Sequence, residues 1–235
     1  MEPVHYAGDN MNHVITGGLY RSGTNYCRDM IRANFAGHIA PAKNNPFTGR
    51  HPYKHSWNAE ELRAGFHPDT KAFMVFKEPA KWVDSICRQS WDLVDFWDLE
   101  LRPGETPIWI KYDDEHNHMI DDCRIRVSLE RLVDLFNRWA RAWRDHPPCD
   151  ALIIKHSSLV FDLSYNVERI AKFLGAPMPS EITSPGLVPM SRQFTGVIRD
   201  QYNNPDYFEF LDDSTAQKAR SLVDPGVTAW LSFTQ

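Results

Sequence analysis

Residues 14–35 read VITGGLYRSGTNYCRDMIRANF, and this stretch decides the fold. Val14, Ile15 and Thr16 form a short apolar run that predicts a buried strand. A Gly-rich turn follows, Gly17-Gly18-Leu19-Tyr20-Arg21-Ser22-Gly23-Thr24. Beyond it Cys27, Met30, Ile31, Asn34 and Phe35 recur at helical spacing on one face. Strand, turn and helix in this order are the setting of a phosphate-binding loop. The turn's N–H groups and the positive end of the helix dipole converge where an anion would sit.

Gly18 and Gly23 have the G-x-x-x-x-G spacing of a nucleoside-triphosphate loop, but the next two residues break that motif. Thr24-Asn25 stands where Lys-Ser/Thr would grip the terminal phosphates and Mg²⁺. The cation lies inside the turn, as Arg21. The stretch reads as an anion cradle whose chemistry does without Mg²⁺.

The next informative run is Ala72-Phe73-Met74-Val75-Phe76, apolar throughout and bounded by charge. That predicts a central parallel strand covered on both faces. Lys77-Glu78-Pro79 follows, with Pro79 suited to a first helical turn. Trp82, Val83, Ile86 and Cys87 then share one side of the predicted helix. A cation at the strand tip, Lys77, and a hydroxyl within the helix, Ser85, can both reach a phosphate there. The plainer reading pairs Lys77 with Glu78 and leaves Ser85 structural.

Two dispersed motifs thus resemble those of sulfotransferases that use 3′-phosphoadenosine 5′-phosphosulfate (PAPS). Arg21-Ser22-Gly23-Thr24-Asn25-Tyr26 is similar to the family's 5′-phosphosulfate loop, with Asn25 where a second Thr is common. Lys77 through Ser85 is similar to its 3′-phosphate element, with Lys for the usual Arg; this gives up the bidentate fork and keeps a point charge. Ile170-Ala171-Lys172-Phe173-Leu174-Gly175 resembles the family's Ile-x-x-Phe-Leu-Gly. The strand Ala151–Lys155 leads into His156-Ser157-Ser158 where the family has Tyr-Glu-Asp, so a structural carboxylate is lost. The resemblance spans roughly residues 14–175, in family order.

The resemblance implies a parallel sheet of four or five strands flanked by helices, of the P-loop nucleotide-binding type. It implies PAPS as donor, PAP as product, no metal, and an acceptor hydroxyl or amine on a small molecule or carbohydrate. Arg21, Ser22, Gly23, Thr24 and Asn25 would hold the 5′-phosphate, Tyr26 would flank the adenine, and Lys77, Ser85 and Arg192 the 3′-phosphate, with Arg199 behind Arg192. Tyr53-Lys54-His55-Ser56 is similar to a Trp-Lys-His-Gly of bacterial relatives. His55 would then be the base and Lys54 a charge stabiliser beside Arg21; Glu60 and Glu61 compete with His55. An atypical P-loop kinase or nucleotidase, and a PAP-binding protein without chemistry, stay open as alternatives.

Composition sets the outer bounds. The chain has 235 residues, 42% of them hydrophobic, with eight Trp and thirteen Phe, which suits one α/β domain. Its core spans 14–175, with a variable acceptor segment at 92–127 and a C-terminal loop and helix at 176–235. A net charge of −5 argues against a general nucleic-acid binder. The start lacks a basic-then-apolar leader and no run approaches a membrane span, so a soluble cytoplasmic protein is expected. Cys27, Cys87, Cys123 and Cys149 lack paired spacing and read as reduced thiols.

Secondary expectations complete the reading. A helix over Ser128–Arg144 has Ser128 as N-cap and buries Leu129, Leu132, Val133, Phe136, Trp139, Ala140 and Trp143. Gly37–Ala40 reads as a short strand. A helix capped by Ser164 ends at Gly175, and a last one near Ser214–Val223 ends at Pro225-Gly226. Residues 113–122 form an acidic patch with two histidines, read as a solvated loop. With Trp91, Trp97 and Trp109 it would suit a cationic or sugar-like acceptor.

Overall fold

The computed structural model describes residues 11–19, 22–40, 70–88, 99–111, 124–185, 204 and 208–233. Among them lies a three-stranded parallel sheet in the order β1 (His13–Gly17), β2 (Thr70–Phe76), β5 (Asp150–Lys155). A separate antiparallel pair joins β3 (Pro107–Lys111) to β4 (Arg124–Ser128). The helices are α1 (Thr24–Phe35), α2 (Pro79–Arg88), α3 (Leu129–Asp145), α4 (His156–Phe161), α5 (Leu163–Leu174), α6 (Asp213–Ser221) and α7 (Pro225–Phe233).

β2 is central because it has side chains to bury on both faces. Ala72, Met74 and Phe76 point to one side and Phe73 and Val75 to the other, each at most 3% exposed. The first side packs on α2, α3, α6, α7 and the β3–β4 pair. Phe76 is its hub: its ring lies 4.5 Å from Trp139 and 5.3 Å, edge-on, from Trp230. The second side packs on α1 through Cys27, Met30, Ile31 and Phe35, and on α5 through Val167, Ile170 and Leu174. Fully burying one such side chain contributes about 1.5–3 kcal/mol, so both layers are held chiefly by apolar burial.

The caps follow local chemistry. Ser128 Oγ accepts from the Arg131 N–H at 3.2 Å and starts α3. Gly175, at φ 67, closes α5. Three expectations are corrected. The cap of α5 is Asp162, whose Oδ1 accepts from Tyr165 N–H at 3.0 Å, and Ser164 lies inside the helix. Pro225 opens α7 rather than ending the preceding helix, as its fixed φ permits. Gly37–Ala40 is a 3₁₀ turn over Ala36–His38 plus one parallel bridge, Ile39 to Asn12.

Cys27, Cys87 and Cys149 are free thiols. Burial pushes the Cys27 thiol up and those of Cys87 and Cys149 up to about 12, so they act as small apolar groups. Among the described residues no helix is long and apolar enough to cross a membrane.

Candidate functional site

The sheet register assembles the site. Gly17 pairs with Met74, and Phe76 with Lys155. Gly18, Lys77 and His156 are therefore the first residues past the carboxyl ends of three adjacent parallel strands. Ligands of open α/β sheets bind at that edge. Two helices, α1 and α2, also begin there and direct their positive ends to it.

The turn is built by close approach. A Cβ on Gly18 would lie 2.6 Å from the Val75 carbonyl oxygen, so only glycine lets β1 leave the sheet this tightly. The Ser22 N–H donates to the Leu19 carbonyl at 3.1 Å and folds the chain back. Gly23 has φ 88, a left-handed conformation that glycine adopts without strain. Its carbonyl accepts the Cys27 N–H at 3.1 Å, and no side chain caps α1. The amides of the first turn thus have no acceptor within the helix. Ser22 and Thr24 are buried, Tyr26 is half-buried and Asn25 exposed.

Lys77 is 6% exposed, and its Nζ donates to Ser85 Oγ at 2.9 Å. Ser85 Oγ donates in turn to the Lys81 carbonyl at 2.8 Å. Ammonium and hydroxyl, eight residues apart, stand side by side. Glu78 is engaged elsewhere: it accepts the Lys81 N–H at 2.9 Å and Arg220 Nε at 3.0 Å.

Asn204 and residues 208–211 lie against α2 beside this element. Asp84 Oδ1 accepts the N–H groups of Glu209, Phe210 and Leu211 at 3.1, 2.8 and 3.2 Å. Arg88 pairs with Glu209, and Lys81 Nζ donates to the Asn204 carbonyl at 2.8 Å. Lys81 and Arg220 both lie over the Phe208 ring, at 4.6 and 5.4 Å.

His156 was given no role by its sequence, yet it links the two elements. It is buried, and a Cβ on Gly23 would meet its Cδ2 at 2.3 Å and its Nε2 at 2.8 Å. Burial, then the Lys77 charge, hold the imidazole well below its ordinary pKa and hence neutral. Its one legible signal was its place immediately after an apolar strand.

Of the sequence candidates, Ser22, Gly23, Thr24, Asn25, Tyr26, Lys77 and Ser85 are all at this edge. Arg21, Lys54, His55, Glu60, Glu61, Arg192 and Arg199 lie outside the described residues, as do Cys123, Trp91, Trp97 and the 113–122 patch. Trp109 is described, and its cross-strand neighbour is basic, Arg126. No family model and no curated protein matches the chain.

Proposed function

We propose that the chain is a PAPS-dependent sulfotransferase of the P-loop nucleotide-binding type, with a sheet that continues beyond three strands. The observation that carries this reading is the strand-tip arrangement: the glycine turn and the Lys77–Ser85 pair, far apart in sequence, share one sheet edge. The residues fit an adenosine 3′,5′-bisphosphate. The turn presents backbone donors where a Cβ has no room at Gly18 or Gly23, and the second element presents an ammonium and a hydroxyl.

Bound PAPS would supply an activated sulfuryl group for in-line transfer to an acceptor hydroxyl or amine. The chain's own residues divide the work. The α1 amides, Ser22, Thr24, Asn25 and Arg21 hold the 5′-phosphate side, and Tyr26 flanks the adenine. Lys77 and Ser85 grip the 3′-phosphate, with Arg192 covering it. His55 takes the acceptor proton, and Lys54 with Arg21 offsets charge at the leaving oxygen. Neutral His156 keeps the Gly23 turn and Lys77 in register.

The test is calorimetric titration with PAP, ADP and ATP in EDTA. The proposal expects metal-free PAP binding that exceeds ADP, weakened about tenfold or more by Arg21→Ala. Equal affinity for ADP, or binding of ATP alone and only with Mg²⁺, would favour a kinase or nucleotidase. With PAP bound, transfer of labelled sulfate to a hydroxyl acceptor should disappear in His55→Ala.

A further inference from the structure

α4 begins where β5 ends, so its first residue, His156, stands at the same sheet edge as Lys77. The pairing of Phe76 with Lys155 makes the two neighbours on adjacent parallel strands. They are 8% and 6% exposed, and a Cβ on Gly23 would meet His156 Nε2 at 2.8 Å. The imidazole thus packs directly on the turn that opens α1, with the Lys77 charge acting on it from the next strand. A titratable ring has been buried beside a cation and the positive end of a helix, and both oppose its protonation in the free chain. An amide side chain would fill much of the same space without that conflict.

The ionised groups on the surrounding elements are few. α4 carries none besides His156. Lys155 on β5 shares the Phe76 face of the sheet. On α5, Asp162, Glu168 and Lys172 are exposed, and Arg169 donates to the Ile153 carbonyl at 3.0 Å. On α1, Arg28 pairs with Asp29 at 2.9 Å. At the tip of β2, Glu78 is engaged by the Lys81 N–H and Arg220. Arg21, in the turn itself, lies outside the described residues; a cation there would act on the ring in the same sense as Lys77.

We propose that His156 takes up a proton when PAP binds, and so tunes how tightly the site holds it. The inference rests on the nucleotide reading of this edge. A bound phosphate brings two negative charges to a place where Lys77 supplies one positive charge, so the field at the ring changes sign. Little water is present at this depth to screen it. Solvent supplies the proton, the neutral imidazole becomes imidazolium, and no bond to the ligand forms or breaks.

The coupling is reciprocal: a ligand that favours the protonated ring binds more tightly where the ring is already protonated. Affinity for PAP therefore rises as pH falls through the window between the free and bound pKa of His156, by up to about tenfold per pH unit for one proton. PAP is the product of the proposed reaction, so its release quickens as pH rises.

The experiment titrates the full chain with PAP in EDTA, at about pH 6 and about pH 8. Paired buffers of different ionisation enthalpy give the number of protons exchanged. The phosphates of PAP titrate in this range too, so His156→Gln, which cannot take up the proton, is the reference. The native chain should take up more protons than His156→Gln, and the native-to-variant affinity ratio should rise about threefold or more from the higher pH to the lower. NMR of the native chain gives a readout that needs no variant, and it decides the matter should His156→Gln fail to fold. The His156 ring, assigned through bonds from the backbone, should be neutral at about pH 6 in the free chain and become imidazolium with saturating PAP. PAP binding with a ring that stays neutral, or with equal proton counts in native and variant chains, would overturn the proposal and leave the nucleotide reading standing. No PAP binding at either pH would overturn both.

Discussion

Substituting Gly23 by alanine tests the joint between the anion turn and His156. Two costs are separable. The first is backbone strain at φ 88, about 1–2 kcal/mol for a residue with a Cβ. The second is steric: the new Cβ would sit 2.3 Å from His156 Cδ2, against an ordinary carbon contact of about 3.5–4.0 Å. His156 is buried, so it must move by more than an ångström within packed surroundings; overpacking of this kind costs about 1–3 kcal/mol. Gly175→Ala supplies the control. Its φ is 67 and an added Cβ would meet nothing within 4 Å, so it carries the strain alone. Urea unfolding should therefore place Gly23→Ala about 1–3 kcal/mol below Gly175→Ala, roughly 2–12 °C in Tm. That excess should vanish when Gly23→Ala is made in a His156→Ala background. Equal destabilisation by the two glycine substitutions would refute the reasoning, as would additivity of Gly23→Ala with His156→Ala within about 0.5 kcal/mol.

Three further predictions concern the supporting structure. Asp84→Ala removes the acceptor of three backbone N–H groups, so amide exchange at 209–211 should accelerate and stability fall by about 1–3 kcal/mol; unchanged protection would show that the segment is held by other contacts. Burial raises the Glu130 carboxyl, but hydrogen bonds from Lys218 and Thr106 outweigh it and bring the pKa to about 2. Its stabilising contribution is complete above the unfolded pKa of about 4.3 and is lost as pH falls toward 2, and Glu130→Gln should flatten that acid limb. His156 has a lowered folded pKa, so the unfolded chain binds the extra proton below about 6.5, and stability should drop as pH falls from there. An NMR titration in which the His156 imidazole protonates near its ordinary value would contradict that environment.

The local signals in the sequence were strong where one periodicity dominated. The run 72–76 has no polar residue, which leaves no face for water, and β2 is buried on both sides. The stripe from Leu129 to Trp143 fixed α3 to within a residue. The β3–β4 pair was missed because only two apolar residues per strand, Ile108 and Ile110, Ile125 and Val127, mark its inner face, diluted by Pro107, Trp109 and three charged residues. His156 was missed for a different reason. A histidine after a strand looks the same in sequence whether it faces water or a glycine turn, and only the pairing of β5 with β2 places it beside Lys77. Asp84 was equally silent, since its three partners lie over 120 residues away.

The central claim is that Lys77 and Ser85 read a 3′-phosphate. The most direct measurement is the difference in affinity between PAP and adenosine 5′-phosphate, in EDTA, for the native chain and Lys77→Met. The account predicts that PAP binds about tenfold or more tightly to the native chain, the value of one charge-assisted phosphate contact, and that Lys77→Met abolishes the preference while leaving adenosine 5′-phosphate binding intact. An undiminished preference for PAP in Lys77→Met, or equal binding of the two nucleotides by the native chain, would contradict it.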